Sequence, residues 1–314
     1  MNKTMLAFCV AATLLGCLCS APNEAPNRNN CFLNYVTYVN NKFYGVGEKG
    51  TIFSSTDGAV WDIKNPFTSQ KLNGFTYGNG KYIIVGDSGT IATSPNGENW
   101  TIEKTIISSN LQSIAFGDSQ FVAVGGDASI IATSFDGSTW TQVKNGTYAY
   151  LYSVVFSNGK FVAVGNGTIL SSSDGITWTL INLSTVFEKD LYWVTYGSGL
   201  FVAGGLSDSI NSGITDSVVA MVMTSNNGLT WTTTNLNTFK SINSITYGNG
   251  QYMALGFENL ILSSMNGISW EIQFTGTNSL DFLNSIAYGN GNFVVVGNGS
   301  ILSSSDGKNW IKRI

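Results

Sequence analysis

The residues of this chain that best suit acid–base chemistry near neutral pH are its carboxylates. Its 314 residues include 19 Asp and Glu, 15 Lys and Arg, and no histidine. Without an imidazole there is no Ser-His-Asp or His-assisted thiol catalysis and no His-ligated metal. No P-loop or dinucleotide fingerprint occurs, because the Gly-x-Gly runs fall in turn sequences. No cofactor and no metal is expected. What remains for an enzyme is a pair of carboxylates flanking a glycosidic bond, one as acid and the other as base or nucleophile. Glu48, Asp87, Asp127, Asp190, Asp208, Asp216, Glu258 and Asp281 are available, and nothing in their spacing selects two of them. The net charge of −4 and the absence of any Lys/Arg cluster exclude nucleic acid, whose phosphates require a basic surface.

The elements that position these acids come from a repeat. Seven segments share one pattern: SSTDGAVW ending at Trp61, TSPNGENW at Trp100, TSFDGSTW at Trp140, SSSDGITW at Trp178, TSNNGLTW at Trp231, SSMNGISW at Trp270 and SSSDGKNW at Trp310. The Trp spacings are 39, 40, 38, 53, 39 and 40 residues, and only one of the eight tryptophans lies elsewhere. Upstream of each Trp the chain reads as four short strands. In the last copy these are A near Ser285–Tyr288, B near Phe293–Val296, C near Ser300–Ser304, and D starting at the Trp. Gly and Asn mark the turns, where they tolerate φ > 0. Seven such units predict an all-β, seven-bladed β-propeller of four-stranded antiparallel blades over residues 31–314, since repetition about an axis lets each blade bury both faces. A solenoid is the alternative, but its repeats are shorter or contain helices.

The repeated (Ser/Thr)-x-(Asp/Asn)-Gly-x-x-Trp resembles the Asp-box, or BNR repeat, Ser-x-Asp-x-Gly-x-x-Trp, with one residue fewer before the aromatic. The expected role is structural. Asp57, Asn96, Asp136, Asp174, Asn227, Asn266 and Asp306 accept bonds from turn N–H groups, while Trp61, Trp100, Trp140, Trp178, Trp231, Trp270 and Trp310 fill the gaps between blades. Asp-box propellers include sialidases, which the resemblance implies would use three arginines and a Tyr/Glu nucleophile pair. This chain has only Arg28 and Arg313, so that activity is excluded. The chain is also similar to photosystem II assembly-factor propellers, but lacks the arginine-rich surface that this likeness implies.

A–B and C–D turns share one face of such a ring, and B–C and D–A loops share the other. A ligand is expected on the second face. Its B–C turns carry Glu48, Asp87, Asp127, Asn166, Asp208, Glu258 and Asn298, which could hold a hard cation or a polyol by convergence, although acids and amides also simply suit exposed turns. The extra residues of blade 5, about Leu206 to Ser217, fall in its B–C loop with Asp208 and Asp216. Aromatics gather where the chain enters blades 4 and 5: Tyr148, Tyr150, Tyr152, Phe187, Tyr192 and Trp193. They form either a stacking surface for a sugar or partner protein, or local packing.

Residues 1–16, MNKTMLAFCVAATLLG, read as a signal peptide: Lys3, then an apolar run too short to span a bilayer. Leu14-Leu15-Gly16-Cys17 resembles the lipobox of bacterial lipoproteins, which implies acylation of Cys17; cleavage after Ala21 is the alternative. Leu18 at the following position is similar to the pattern sent to the outer membrane of diderm bacteria. Residues 17–30 read as a lipidated cysteine and flexible tether. Cys19 and Cys31 could pair in an oxidising compartment. The expectation is a non-catalytic, membrane-anchored envelope lipoprotein whose propeller binds a protein or glycan; the alternative is a glycoside hydrolase using two acids of the B–C face.

Overall fold

The computed structural model describes residues 32–126, 129–181, 189–208, 218–236, 241–275 and 282–314. They form seven four-stranded antiparallel sheets, each built from four consecutive strands. Blade 1 comprises strands A (Leu33–Val39), B (Lys42–Gly47), C (Ile52–Ser55) and D (Asp62–Lys64). The other A strands are Leu72–Gly78, Leu111–Gly117, Leu151–Ser157, Lys189–Gly197, Ile242–Gly248 and Leu283–Gly289. Each A strand packs against the next, and that of blade 7 packs against that of blade 1, so the sheets close into a propeller around an axis lined by A strands. Among the described residues no helix is long and apolar enough to cross a membrane.

The burial pattern follows from the stacking. B strands such as KYIIVG and QFVAVG are buried almost throughout because a neighbouring blade covers each face. D strands are short, polar and exposed at the rim, as in Thr101–Ile102 and Ile311–Lys312. The A–B turns place two successive residues at positive φ, the type I′ geometry that matches the strand twist. Five of these turns end in Gly, but blade 3 uses Asp118 (φ 45°) and Ser119 (φ 62°). A side chain in the left-handed region costs about 1–2 kcal/mol. Ser119→Gly is therefore expected to raise the urea midpoint, by roughly 1 kcal/mol of stability after the added backbone entropy of glycine in the unfolded chain.

The seams between blades repeat one set of contacts. Counted from the Leu or Ile that opens the repeat (Leu33 in blade 1, Leu191 in blade 5), the sixth residue of each A strand is aromatic and lies against the second residue of its own B strand, as in Tyr38–Phe43 (4.7 Å), Phe116–Phe121 (4.7 Å) and Tyr288–Phe293 (4.7 Å). In five of the blades the same ring covers a glycine of the preceding blade, Phe116 on Gly78 and Tyr38 on Gly289 among them. The third A residue, where it is serine, accepts the backbone N–H of the next A strand: Ser113 from Val154 (3.2 Å), Ser153 from Val194 (3.3 Å), Ser244 from Ile286 (3.2 Å) and Ser285 from Val36 (3.2 Å). The last of these joins blade 7 to blade 1. No blade combines strands from the two ends of the chain, so the ring closes by face packing, by the hydrogen bond that three other seams share, and by a backbone bridge between Phe32 and Asn298.

Two details depart from expectation. Strand D begins one residue after the Trp in every blade. The indole belongs to the turn, because in five blades its Nε1–H donates to the glycine carbonyl three residues earlier, at 2.9 to 3.2 Å. In blade 5 the extra residues are not all loop. Strands B and C lengthen to Leu200–Asp208 and Val218–Ser225 and stay paired to Asp208↔Val218, because Leu206 and Ser207 also pair with Asp190 and Lys189 of strand A.

Candidate binding face and axial cavity

The Ser-x-(Asp/Asn)-Gly-x-x-Trp turns line the A–B/C–D face. Asp174 Oδ1 accepts the N–H groups of Ile176 (2.9 Å) and Thr177 (2.7 Å), and Ser172 Oγ accepts that of Gly175 (2.8 Å). Asn96 makes the equivalent bonds to Glu98 and Asn99. All seven tryptophans are buried or half-buried, each packed between its own blade and the preceding one. The N–H groups of Thr177 and Ile176 hold the Asp174 carboxyl down at about 2, and Asp57, Asp136 and Asp306 are lowered by the same kind of turn bonds. A lowered folded-state value means stability that is fully present above the ordinary carboxylate value of about 3.9 and lost as pH falls toward 2. Replacing all four aspartates by the asparagine that three blades already use is expected to flatten the acid limb of the stability profile between pH 4 and pH 2. Equal steepness in the wild type and the variant would show that these turns do not titrate the fold.

On the opposite face the described B–C acids make local contacts. Among the described residues no three acids or cysteines gather as metal ligands. Several are instead tied to the second residue of their own A strand: Asn34 Nδ2 donates to Glu48 (3.4 Å), Asn73 to Asp87 (2.8 Å) and Asn284 to Asn298 (3.2 Å). Lys71 also pairs with Glu48, at 3.4 Å. Glu258 is out of register with the others. Phe257 occupies the place of Glu48 and Asp87, and Glu258 takes the next, left-handed position (φ 56°), exposed. Asp208 ends a strand rather than sitting in a turn. Asp127, Asp216, Asp281, Phe187, Cys17, Cys19 and Cys31 lie outside the described residues.

The aromatics separate into two groups. Five blades place Asn or Gln at the second A position, but blades 4 and 5 place Tyr152 and Tyr192 there. Tyr152 contacts Tyr150 (ring centroids 4.9 Å) and meets Tyr192 edge-on (5.3 Å). Gln112 Nε2 of blade 3 donates to the Tyr150 hydroxyl at 2.6 Å. Asn166 bonds the Tyr152 hydroxyl, and its backbone bridges to Asp190. The result is a continuous half-buried patch across three blades. Tyr148 stands beside it in the D–A loop, almost fully exposed at 88%. Burial first, and the Asp190 charge second, push the Tyr152 phenol up to about 12 and that of Tyr192 higher still. Both hydroxyls therefore stay protonated through any physiological pH and act as hydrogen-bond groups. A tyrosine nucleophile would need the opposite shift.

Trp193 is not part of that patch. At the third A position it points into the axis, where its ring meets Tyr35 of blade 1 at 5.7 Å. Blades 1 and 5 are not neighbours, so the two rings meet across the channel. A cavity of about 240 Å³ lies along the axis between the inner strands, lined by Tyr35, Trp193 and the hydroxyl residues Thr37, Ser113, Ser153, Thr195 and Thr246 among others. The Tyr35 partner is the residue that sequence reasoning missed. Its signal was present, since Tyr35 is the one other large residue at a position otherwise Ser or Gly.

No family model matches the chain, and no curated protein matches it. Solved structures do. The structure of YCF48 bound to a D1 peptide is 15% identical, with TM-score 0.67 over 90% of this chain and 98% of that one. The BT4673 extracellular domain from B. thetaiotaomicron is 12% identical, with TM-score 0.68 over 88% of this chain and 38% of that one. The WD40 β-propeller domain of Doa1 is 17% identical, with TM-score 0.63 over 87% and 91%. At such identities the likeness is one of fold, and the chain is by its fold a seven-bladed β-propeller.

Proposed function

We propose that this chain is a non-catalytic lipoprotein of the cell envelope whose propeller binds a protein partner on the B–C/D–A face, at the patch of Tyr150, Tyr152 and Tyr192. One observation carries this reading: at a position that five blades fill with an amide, two adjacent blades present tyrosines in mutual contact. Tyrosine supplies rigid contact area with a polar tip, the combination enriched where proteins bind one another. The YCF48 propeller, similar in fold, is described with a peptide bound. The raised tyrosine values favour hydrogen bonding to a partner over nucleophilic attack. Anchoring through Cys17 rests on the Leu14–Cys17 motif, and placement in the outer membrane of a diderm bacterium rests on Leu18.

A peptide array and a glycan array test the partner class. The wild type is expected to retain peptides, and Tyr152→Ala and Tyr192→Ala to lose them at least tenfold. Retention of glycans alone would replace the protein by a glycan. Turnover of chromogenic glycosides, abolished by a single Asp or Glu substitution on this face, would overturn the non-catalytic reading. Radiolabelled palmitate is expected to enter the wild type and not Cys17→Ser.

A further inference from the structure

We infer that the axial cavity is a second binding site, separate from the tyrosine patch, for a small neutral hydroxylated ring such as a monosaccharide, stacked on Trp193 and Tyr35. Three observations carry it. None of the residues lining the cavity is charged. An ionic ligand would therefore leave water with no opposite charge to meet. A neutral ligand meets no such penalty.

The walls also combine the two features that such a ring requires. Trp193 and Tyr35 provide aromatic faces 5.7 Å apart and inclined at 32°, on which the C–H face of a sugar can lie. Hydroxyls supply the polar partners. Ser113 and Ser153 already accept a backbone N–H from the next blade, which leaves each O–H as a donor that can point inward. Thr195 and Thr246, half-buried on the same channel wall, can both donate and accept. Finally, the size fits. At about 30 Å³ per water the space corresponds to about eight waters, room for one pyranose ring and its hydroxyls.

Both rings are anchored at their bases, Trp193 on the core between blades 5 and 6 and Tyr35 on that between blades 1 and 2. Four blades use serine there to latch the next A strand; blades 1 and 5 give up that hydrogen bond and place a large ring in the channel instead.

Isothermal titration of the whole propeller with glucose, galactose and mannose, and with glucuronate and glucosamine as charged counterparts, tests the inference. At least one neutral hexose is expected to bind, with both charged counterparts at least tenfold weaker. Trp193→Ala is expected to weaken binding at least tenfold. The conservative pair Thr195→Val and Thr246→Val, which preserves shape, is expected to weaken it severalfold and decides the matter if Trp193→Ala fails to fold. Tyr152→Ala, in the patch outside the cavity, is expected to leave it unchanged. The inference is overturned if no neutral hexose binds, if a charged counterpart binds as well, if the threonine variants bind like the wild type, or if Tyr152→Ala abolishes binding.

Discussion

Trp61→Ala is expected to lower the unfolding free energy by about 3–5 kcal/mol, the range for removing a large buried aromatic. Trp61 is the most deeply buried of the seven repeat tryptophans, at 5% exposure. It packs on Phe43 of its own blade and on Val294, Val296 and Ile301 of blade 7, so it sits at the seam where the two ends of the propeller meet. Its indole N–H also donates to the Gly58 carbonyl at 3.1 Å. Alanine would remove the ring, leave a cavity at the closing seam and orphan that carbonyl. Urea denaturation measures the effect, and an unchanged midpoint would contradict the packing role. The indole nitrogens of Trp100 and Trp231 are buried without a hydrogen-bond partner. Trp100→Phe is therefore expected to cost less than Trp61→Phe, because no hydrogen bond is lost.

The second large effect concerns a glycine at the same seam. Gly289 is an ordinary strand residue, and alanine there would by itself stabilise by about 0.4–1 kcal/mol through the unfolded chain. The structure reverses the sign. A Cβ at Gly289 would stand 2.0 Å from Cγ of Tyr38. Tyr38 has little room to retreat, since its other neighbour is Phe43 at 4.7 Å. Gly289→Ala is thus expected to destabilise by about 1–3 kcal/mol, the usual cost of overpacking. In a Tyr38→Ala background the same change is expected to be neutral or stabilising. A double-mutant cycle in urea reads the difference as a coupling energy; simple additivity would show that ring and glycine do not meet.

The comparison of these two sites explains which features were legible in the sequence. The Trp61 turn closes within seven residues, Ser55 to Trp61, and its hydrogen bonds run between residues two and three apart. Its residue types follow from local geometry, so the motif announced the turn and the repeat announced the ring. The glycine before five of the seven A–B turns was equally visible as part of a Tyr-Gly or Phe-Gly pair. That it lies under an aromatic ring of the next blade was not, because the partner is about forty residues away, or at the closing seam at the other end of the chain.

The candidate site divides the same way. The tyrosines entering blades 4 and 5 could be picked out by type, and Tyr150, Tyr152 and Tyr192 do meet. Trp193, next in sequence to Tyr192, was grouped with them, yet a bulge at Leu191/Trp193 and the alternation of the strand send it to the axis. The B–C acids looked convergent because they share a place in the repeat. Glu48 and Asp87 are instead drawn to an amide of their own A strand, a contact made by the bulged start of that strand.

The order of residues by itself determined the number of blades, the strands within each and the turns between them, because those depend on hydrogen bonds and side-chain alternation inside forty residues. Only the closed ring decided what faces the axis. Tyr35 and Trp193 lie 158 residues apart in the chain, and they meet because the curvature set by seven packed seams brings blades 1 and 5 to opposite walls of one narrow channel.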